Sequence, residues 1–251
     1  MLVKRHLAEA FQDGYRLGHA KPHHDRLVLT GAEPGMLGNR SQMGLVRVRR
    51  GHSEFARRAP VAGILADVAS DHDEDAVLVR RVTEHDVPEM RAVHARSWLA
   101  TYPSPQNGVD TVWVREVVEP WSSAESIAQW VEIVKTADAD PDQFSRVAKV
   151  RGRLVGLLHA VRDANGRIEL TSIYVDPDWF GTGVGTALMA AFDAWAGGAE
   201  VRLDVASYNE RAIGFYAHHG FAMVPNSPRL ELGVIPVVDM IRPANGVQRK
   251  G

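Results

Sequence analysis

The chain has 251 residues, of which 45% are hydrophobic and 24% charged, and its formal net charge is −2. This length and apolar content suffice for one full domain with an appendage. The absence of cysteine excludes disulfides, cysteine-ligated zinc and a thiol-based acyl-enzyme, and it is compatible with the reducing cytoplasm, where we expect the protein to reside. No apolar run approaches the roughly 20 residues of a membrane-spanning helix, so we expect no membrane partner.

Charge is distributed unevenly between the beginning of the chain and the rest. Residues 1–60 contain 11 Lys and Arg against 5 Asp and Glu, whereas the remainder contains 18 against 26. The beginning also lacks sustained apolar periodicity, and the acidic run over residues 71–75 is typical of a solvated linker. We therefore predict a largely disordered extension over residues 1–76, a folded domain over 77–243 and a flexible tail over 244–251.

The extension contains a basic cluster that invites a second interpretation. Arg47, Arg49 and Arg50 could contact nucleic acid, but no aromatic residues are interleaved with them, so we expect no nucleic-acid partner. An alternative is that translation starts naturally near Val77, which would make residues 1–76 dispensable.

Helices and then strands are predicted in the first part of the folded domain. Thr83 followed by Asp86 has the spacing of a helix N-cap with an acid three residues on, and it predicts a helix that ends near Ala100. Two more helices are predicted over residues 110–118 and 123–137. Three strand-like segments separated by strong turn signals predict an antiparallel meander, and they cover residues 144–150, 154–161 and 167–175.

The second part alternates between helices and strands. Helices are predicted over residues 187–195 and 209–219. Strands are predicted over residues 201–205, 221–224, 230–232 and 237–241. This order predicts an α/β (α+β) fold with a mixed, mostly antiparallel central sheet flanked by helices.

A glycine-rich loop joins the third meander strand to the next helix. Gly181, Gly183 and Gly185 allow positive φ and leave no Cβ in the way of an anion. The amides of these glycines and of the helix's first turn would point at one place, so the sequence predicts a phosphate-binding pocket. Two nucleotide loops fit poorly, because no Gly-Lys-Ser/Thr of a P-loop is present and the sixth position of a dinucleotide fingerprint is Thr186.

The loop and a second motif together resemble a known family. Val175-Asp-Pro, followed by the run Phe-Gly-Thr-Gly-Val-Gly-Thr-Ala-Leu over residues 180–188, is similar to the coenzyme A loop of the GCN5-related N-acetyltransferases, the GNAT family. The next strand is followed by Asn209 and by a helix with Tyr216 just before Gly-Phe, as in that family. The resemblance covers roughly residues 77–242. It departs at Phe180, where the family usually has Arg or Gln, so one contact to the pyrophosphate is in doubt.

The resemblance implies a GNAT acyl-CoA N-acyltransferase fold over residues 77–243 and an activity. The protein would move an acetyl group from acetyl-CoA, its cosubstrate, to a primary amine by direct attack in a ternary complex. The acceptor would be a small-molecule amine or a protein amine, and a homodimer is left open. One alternative is a catalytically weak coenzyme A-binding sensor or regulatory module of the same fold. Another, a nucleotide-binding redox domain, is disfavoured because only 65 residues follow Thr186.

The resemblance also implies roles for individual residues. Tyr216 would be the general acid and Glu169 the general base, with His94 and Asp204 as weaker candidates for the base. Trp98 and Tyr102 would box the acceptor amine through cation–π contacts. We expect no bound metal. The expected cofactor-binding residues are Ile173, Val175, Phe180, Gly181, Thr182, Gly183, Val184, Gly185, Thr186 and Asn209.

Overall fold

The computed structural model describes residues 75–245, so nearly all of the predicted extension and most of the predicted tail lie outside the described residues. Eight strands and five α-helices are found in the described range. The strands are β1 (Leu78–Arg81), β2 (Gln143–Val150), β3 (Arg153–Arg162), β4 (Ile168–Val175), β5 (Val201–Ala206), β6 (Ala222–Met223), β7 (Arg229–Glu231) and β8 (Ile235–Arg242). The helices are α1 (Val87–Thr101), α2 (Thr111–Val118), α3 (Ala124–Asp138), α4 (Val184–Ala196) and α5 (Glu210–His218).

All eight strands belong to one sheet. Its order is β1-β2-β3-β4-β5-β8-β6, and β7 pairs with β8 beside this path. Every pair is antiparallel except β4 with β5. The predicted meander of β2, β3 and β4 and the mixed, mostly antiparallel sheet are therefore confirmed.

Helices cover both faces of this sheet and produce three apolar clusters. Helices α4 and α5 pack on one face, where Leu188 and Phe192 are fully buried. Helices α1 and α3 cover the opposite face of β2 and β3. A third cluster joins α1 and α2 to β5 and β8. The residues around β4 and β5 are thus enclosed from both sides.

The start of α1 is held by a buried carboxylate. Asp86 is 3% exposed and accepts hydrogen bonds from the Thr83 amide at 2.9 Å and from the Arg80 guanidinium at 2.7 Å. Burial alone would raise the pKa of Asp86, but these hydrogen bonds, with one from Lys149, hold it well below the usual range. The predicted cap at Thr83 is present, although it begins a 3₁₀ turn over Glu84–Asp86 that leads into α1.

Gly156 on β3 lets α4 approach the sheet closely. A Cβ at this position would lie 2.9 Å from Val184 Cγ1, 3.1 Å from Leu188 Cδ1 and 3.2 Å from Tyr174 O. Such contacts are too short, so the first turn of α4 sits where only glycine permits it. The position of the loop that precedes α4 depends on this contact.

We predict that Gly156→Ala destabilises the protein by about 1–3 kcal/mol, because the added methyl group overpacks the contact between β3 and α4. Urea unfolding measures this change. Gly214→Ala is the matched control, since a Cβ there meets no atom within 4 Å and alanine is the better helix former inside α5. An unchanged free energy of unfolding for Gly156→Ala would contradict the proposed close contact.

Candidate active site

Strands β4 and β5 separate soon after they begin, and a cavity lies between them. Their pairing comprises Ile168 with Val201 and Glu169 with Arg202, whereas β5 pairs with β8 along its whole length. On the other edge of β4, Thr171 is an extra residue in the ladder with β3, and such a bulge bends a strand. The resulting cavity has a volume of about 700 Å³, within the usual range for small-molecule sites.

The open edge of β4 exposes main-chain groups to this cavity. The Asp176 amide donates to Val155 O on β3, so by alternation the backbone groups of Ile173 and Val175 turn toward β5. Both residues line the cavity, as the cofactor-binding prediction requires. One of these groups is already engaged, because Ser97 Oγ of α1 lies 2.9 Å from Val175 O.

The glycine-rich loop closes one end of the cavity. Gly181 and Gly183 have φ values of 75° and 92°, and Gly183 is the residue from which α4 begins. The first turn of α4 therefore starts at the cavity with unpaired amides and the positive end of the helix dipole.

The predicted loop residues do not contribute equally to the cavity. Phe180, Gly181, Gly183, Gly185 and Thr186 line it. Thr182 and Val184 are not among the lining residues. The Thr182 hydroxyl donates to Trp179 O at 2.8 Å, and Val184 is buried in the core beneath α4. The loop therefore presents backbone amides to the cavity, and not the side chains of Thr182 and Val184.

Phe180 is covered by an arginine that no motif in the sequence indicates. The guanidinium carbon of Arg211, in the first turn of α5, lies 3.5 Å from the centroid of the Phe180 ring, and both residues line the cavity. Burial lowers the pKa of Arg211, but an arginine stays charged at neutral pH. A cation is thus present beside the loop even though position 180 carries none.

Helix α5 brings two further predicted residues to the cavity. The side-chain oxygen of Asn209 accepts a hydrogen bond from the Ala212 amide at 3.1 Å and caps α5, while Asn209 also lines the cavity. Tyr216 is 8% exposed and lies at the wall. Burial raises the pKa of Tyr216, and nearby Tyr174 and Asp204 add to this effect, so its hydroxyl is protonated at neutral pH.

Three carboxylates line the wall formed by β4, β5 and β7. Glu169, Asp204 and Glu231 are partly solvent-accessible, yet desolvation is the largest cause that raises the pKa of each. Repulsion from Asp204 raises the pKa of both glutamates further, and Arg229 acts in the opposite direction. Arg229 is paired with Asp204 at 3.5 Å and with Asp239 at shorter range.

Aromatic side chains form another part of the cavity wall. The Trp98 indole N–H donates to the Tyr174 hydroxyl at 3.0 Å, and Tyr102 Oη lies 3.3 Å from the same oxygen. Trp98 is 3% exposed and packs against Tyr102 at 4.2 Å between ring centroids. Trp98, Tyr102 and Tyr174 all line the cavity. Trp98 is the buried member and supports the two tyrosine rings, which are more accessible.

His94 lies among these aromatic rings and also lines the cavity. It is 4% exposed, and its ring lies 4.4 Å from those of both Trp121 and Tyr174. Burial, with the charge of Arg91, holds the pKa of His94 well below its usual value, so the imidazole is neutral. Its Nε2 has no hydrogen-bond partner among the described residues.

Comparisons with known proteins agree with this geometry. Residues 98–221 match the family model of the Acetyltransferase (GNAT) family. An uncharacterized N-acetyltransferase of Mycobacterium tuberculosis is 31% identical over 139 residues, which cover 54% of this chain and 83% of that relative. A protein of the same description from Mycobacterium bovis matches equally. The chain therefore belongs to the GNAT acetyltransferase family.

Two crystal structures share the fold. The PaiA N-acetyltransferase of Thermoplasma acidophilum, in complex with coenzyme A, has a TM-score of 0.54 at 18% identity and covers 65% of this chain and 98% of its own. A GNAT-family acetyltransferase of Streptococcus pneumoniae has a TM-score of 0.50 at 20% identity and covers 66% and 98%. The predicted GNAT fold is thereby confirmed.

Two features are absent from residues 75–245. No helix in this part of the chain is both long and apolar enough to cross a bilayer. No group of three or more His, Asp or Glu side chains in the same range could hold a metal ion.

We predict that Glu169→Gln raises the urea midpoint slightly at about pH 7 and leaves it unchanged at about pH 3. Because folding raises the pKa of Glu169, the parent loses stability as pH rises from the unfolded pKa toward the folded one. Below both pKa values the carboxyl is neutral in both states, so the substitution removes no charge. Glu125→Gln, an exposed residue of α3, is the charge-matched control. A lower midpoint for Glu169→Gln at neutral pH would mean that Glu169 is stabilised by its surroundings.

Proposed function

We propose that this protein is an acetyl-CoA-dependent N-acetyltransferase that transfers the acetyl group directly to a primary amine. The observation that carries the proposal is the single cavity that joins the open edge of β4, the N-terminus of α4 and Tyr216. These are the three parts that an elongated diphosphate-containing thioester needs: a strand-like edge, an anion site and a proton donor.

The residues present fit coenzyme A. The first-turn amides of α4 and the loop glycines would bind the pyrophosphate, where the helix dipole favours negative charge. Arg211 would supply the positive charge that Phe180 cannot, held in place by its cation–π contact with that ring. The backbone groups of Ile173 and Val175 would hold the pantetheine arm, together with Asn209.

The chemistry requires an amine that has lost its proton. Acetyl-CoA supplies a thioester carbonyl, at which a C–N bond forms as the C–S bond breaks. An alkyl ammonium has a pKa near ~10.4 and cannot attack, so a base must accept its proton directly or through water. Glu169 is our candidate, and Asp204 lies in the same wall; both have a raised pKa, which makes them better bases than ordinary carboxylates.

Tyr216 would help the sulfur leave. Its raised pKa keeps the phenol protonated, so it can donate a hydrogen bond to the sulfur as negative charge develops there. The same raised pKa makes complete early proton transfer costly, which favours donation late in C–S cleavage. With no cysteine in the chain, a thiol-bound acyl intermediate on the protein is excluded.

We predict that Tyr216→Phe lowers kcat about 100-fold or more while the KM for acetyl-CoA changes little, because only the proton donor is lost. Continuous measurement of thiol release across pH tests this. Tyr208→Phe is the matched control, since Tyr208 is not among the residues that line the cavity and its hydroxyl donates to the backbone oxygen of Tyr102. A Tyr216→Phe variant as fast as the parent at every pH would remove Tyr216 from the mechanism.

We further predict that Arg211→Gln raises the Kd for coenzyme A about tenfold or more, because a charge-assisted contact to phosphate is lost. Calorimetric titration measures this without turnover. Arg115→Gln changes an exposed arginine of α2 and should bind coenzyme A as the parent does. Equal Kd values for Arg211→Gln and the parent would show that the pyrophosphate is bound by main chain alone.

A further inference from the structure

The carboxylate wall has more negative charge than the neighbouring cations neutralise. Arg229 pairs with Asp204 and Asp239. Among the described residues, neither Glu169 nor Glu231 has a cation within 4.0 Å, although both line the cavity. Two carboxylates without ion pairs in a partly desolvated wall favour a positively charged ligand.

A buried hydroxyl independently indicates that a ligand donates hydrogen bonds here. Ser172 of β4 is 7% exposed and lines the same cavity, yet its Oγ has no hydrogen-bond partner among the described residues. The bulge at Thr171 places Ser172 on the strand face that carries Glu169 and Tyr174. Buried polar groups are normally satisfied, so this oxygen is available to an ammonium donor.

The carboxylates extend away from the reaction centre. Asp204 and Tyr174 are the groups whose charges influence Tyr216, so the reacting nitrogen belongs near Asp204. Glu231 interacts with Asp204 from β7, and Glu169 interacts with both from β4. One ammonium placed beside Tyr216 would therefore leave negative charge farther along the wall.

The aromatic side chains of the cavity suit an aliphatic spacer. Tyr102 and Tyr174 line the same cavity as the carboxylates, and such rings pack well against methylene groups and also attract cations. A flexible chain between two charges would lie against these rings.

We propose that the acceptor is a small aliphatic di- or polyamine, whose reacting nitrogen lies near Asp204 and Glu169 and whose second ammonium binds at Glu231. This inference rests on the proposed function for the reacting nitrogen. The binding subsite itself can be tested without any turnover.

The experiment compares α,ω-diaminobutane with n-butylamine, which has the same carbon chain and one charge fewer. Calorimetric titration of the full chain should show that the diamine binds roughly tenfold more tightly, because its second ammonium pairs with carboxylates. Glu231→Gln should reduce this advantage to below about threefold, and Glu231→Lys should reverse it. Glu231 is partly exposed in β7, and melting temperatures check that each variant is folded.

Glu125→Gln removes the same charge from an exposed position of α3, and there the diamine should keep its full advantage. Equal affinity of the parent for the two amines would overturn the subsite, as would an undiminished advantage in Glu231→Gln. Acetyl transfer is then measured with both amines. A diamine that binds selectively without being acetylated leaves the subsite intact and contradicts the role of the diamine as acceptor, whereas equal transfer to both amines with equal affinities supports the acetyltransferase activity and overturns the subsite.

Discussion

The parting of β4 from β5 is the structural constraint on which the site depends. In a continuous sheet the backbone groups of β4 would be satisfied by β5, and no main-chain edge would be available for a ligand. Here β5 stays paired with β8 along its whole length. The bulge at Thr171, on the edge of β4 that pairs with β3, bends β4, so the two strands diverge. The sheet stays whole around the gap because both strands are held by their outer neighbours.

Everything that the proposed reaction uses lies around this gap. The close contact of α4 with Gly156 places the glycine-rich loop at the end of β4. Asp176, only 1% exposed, accepts a hydrogen bond from Arg96 of α1 at 2.6 Å and thereby connects the start of that loop to the aromatic wall. Packed helices and strands, rather than isolated loops, therefore position the glycine-rich loop, Tyr216 and the carboxylate wall.

Features that depend on local backbone chemistry could be predicted from the sequence. Gly181 and Gly183 have positive φ, as the glycine pattern of the loop predicts, and Asn209 is recognisable as a helix cap at a fixed distance before Tyr216. The helices and strands followed from apolar periodicity and turn residues. Such signals are contained within a few consecutive residues, so they can be read without knowing the tertiary structure.

Features that depend on distant residues could not be read in this way. The contact of Arg211 with Phe180 joins α5 to a loop some 30 residues earlier, and nothing local to either position indicates it. Glu231 joins Glu169 and Asp204 because β7 pairs with β8, which lies beside β5. Periodicity placed Trp98 on one face of α1, but only the packing shows that its indole is buried and supports Tyr174.

Amide hydrogen exchange with and without coenzyme A tests the central claim most directly, because it reports on individual backbone groups. Our account predicts that coenzyme A slows exchange at the Ile173 and Val175 amides and at the amides of Gly181 and residues 183–186, while strands β1 and β2, at the far edge of the sheet, are unaffected. If coenzyme A protects other segments and leaves the open edge of β4 and the loop unchanged, the gap between β4 and β5 is not the binding site.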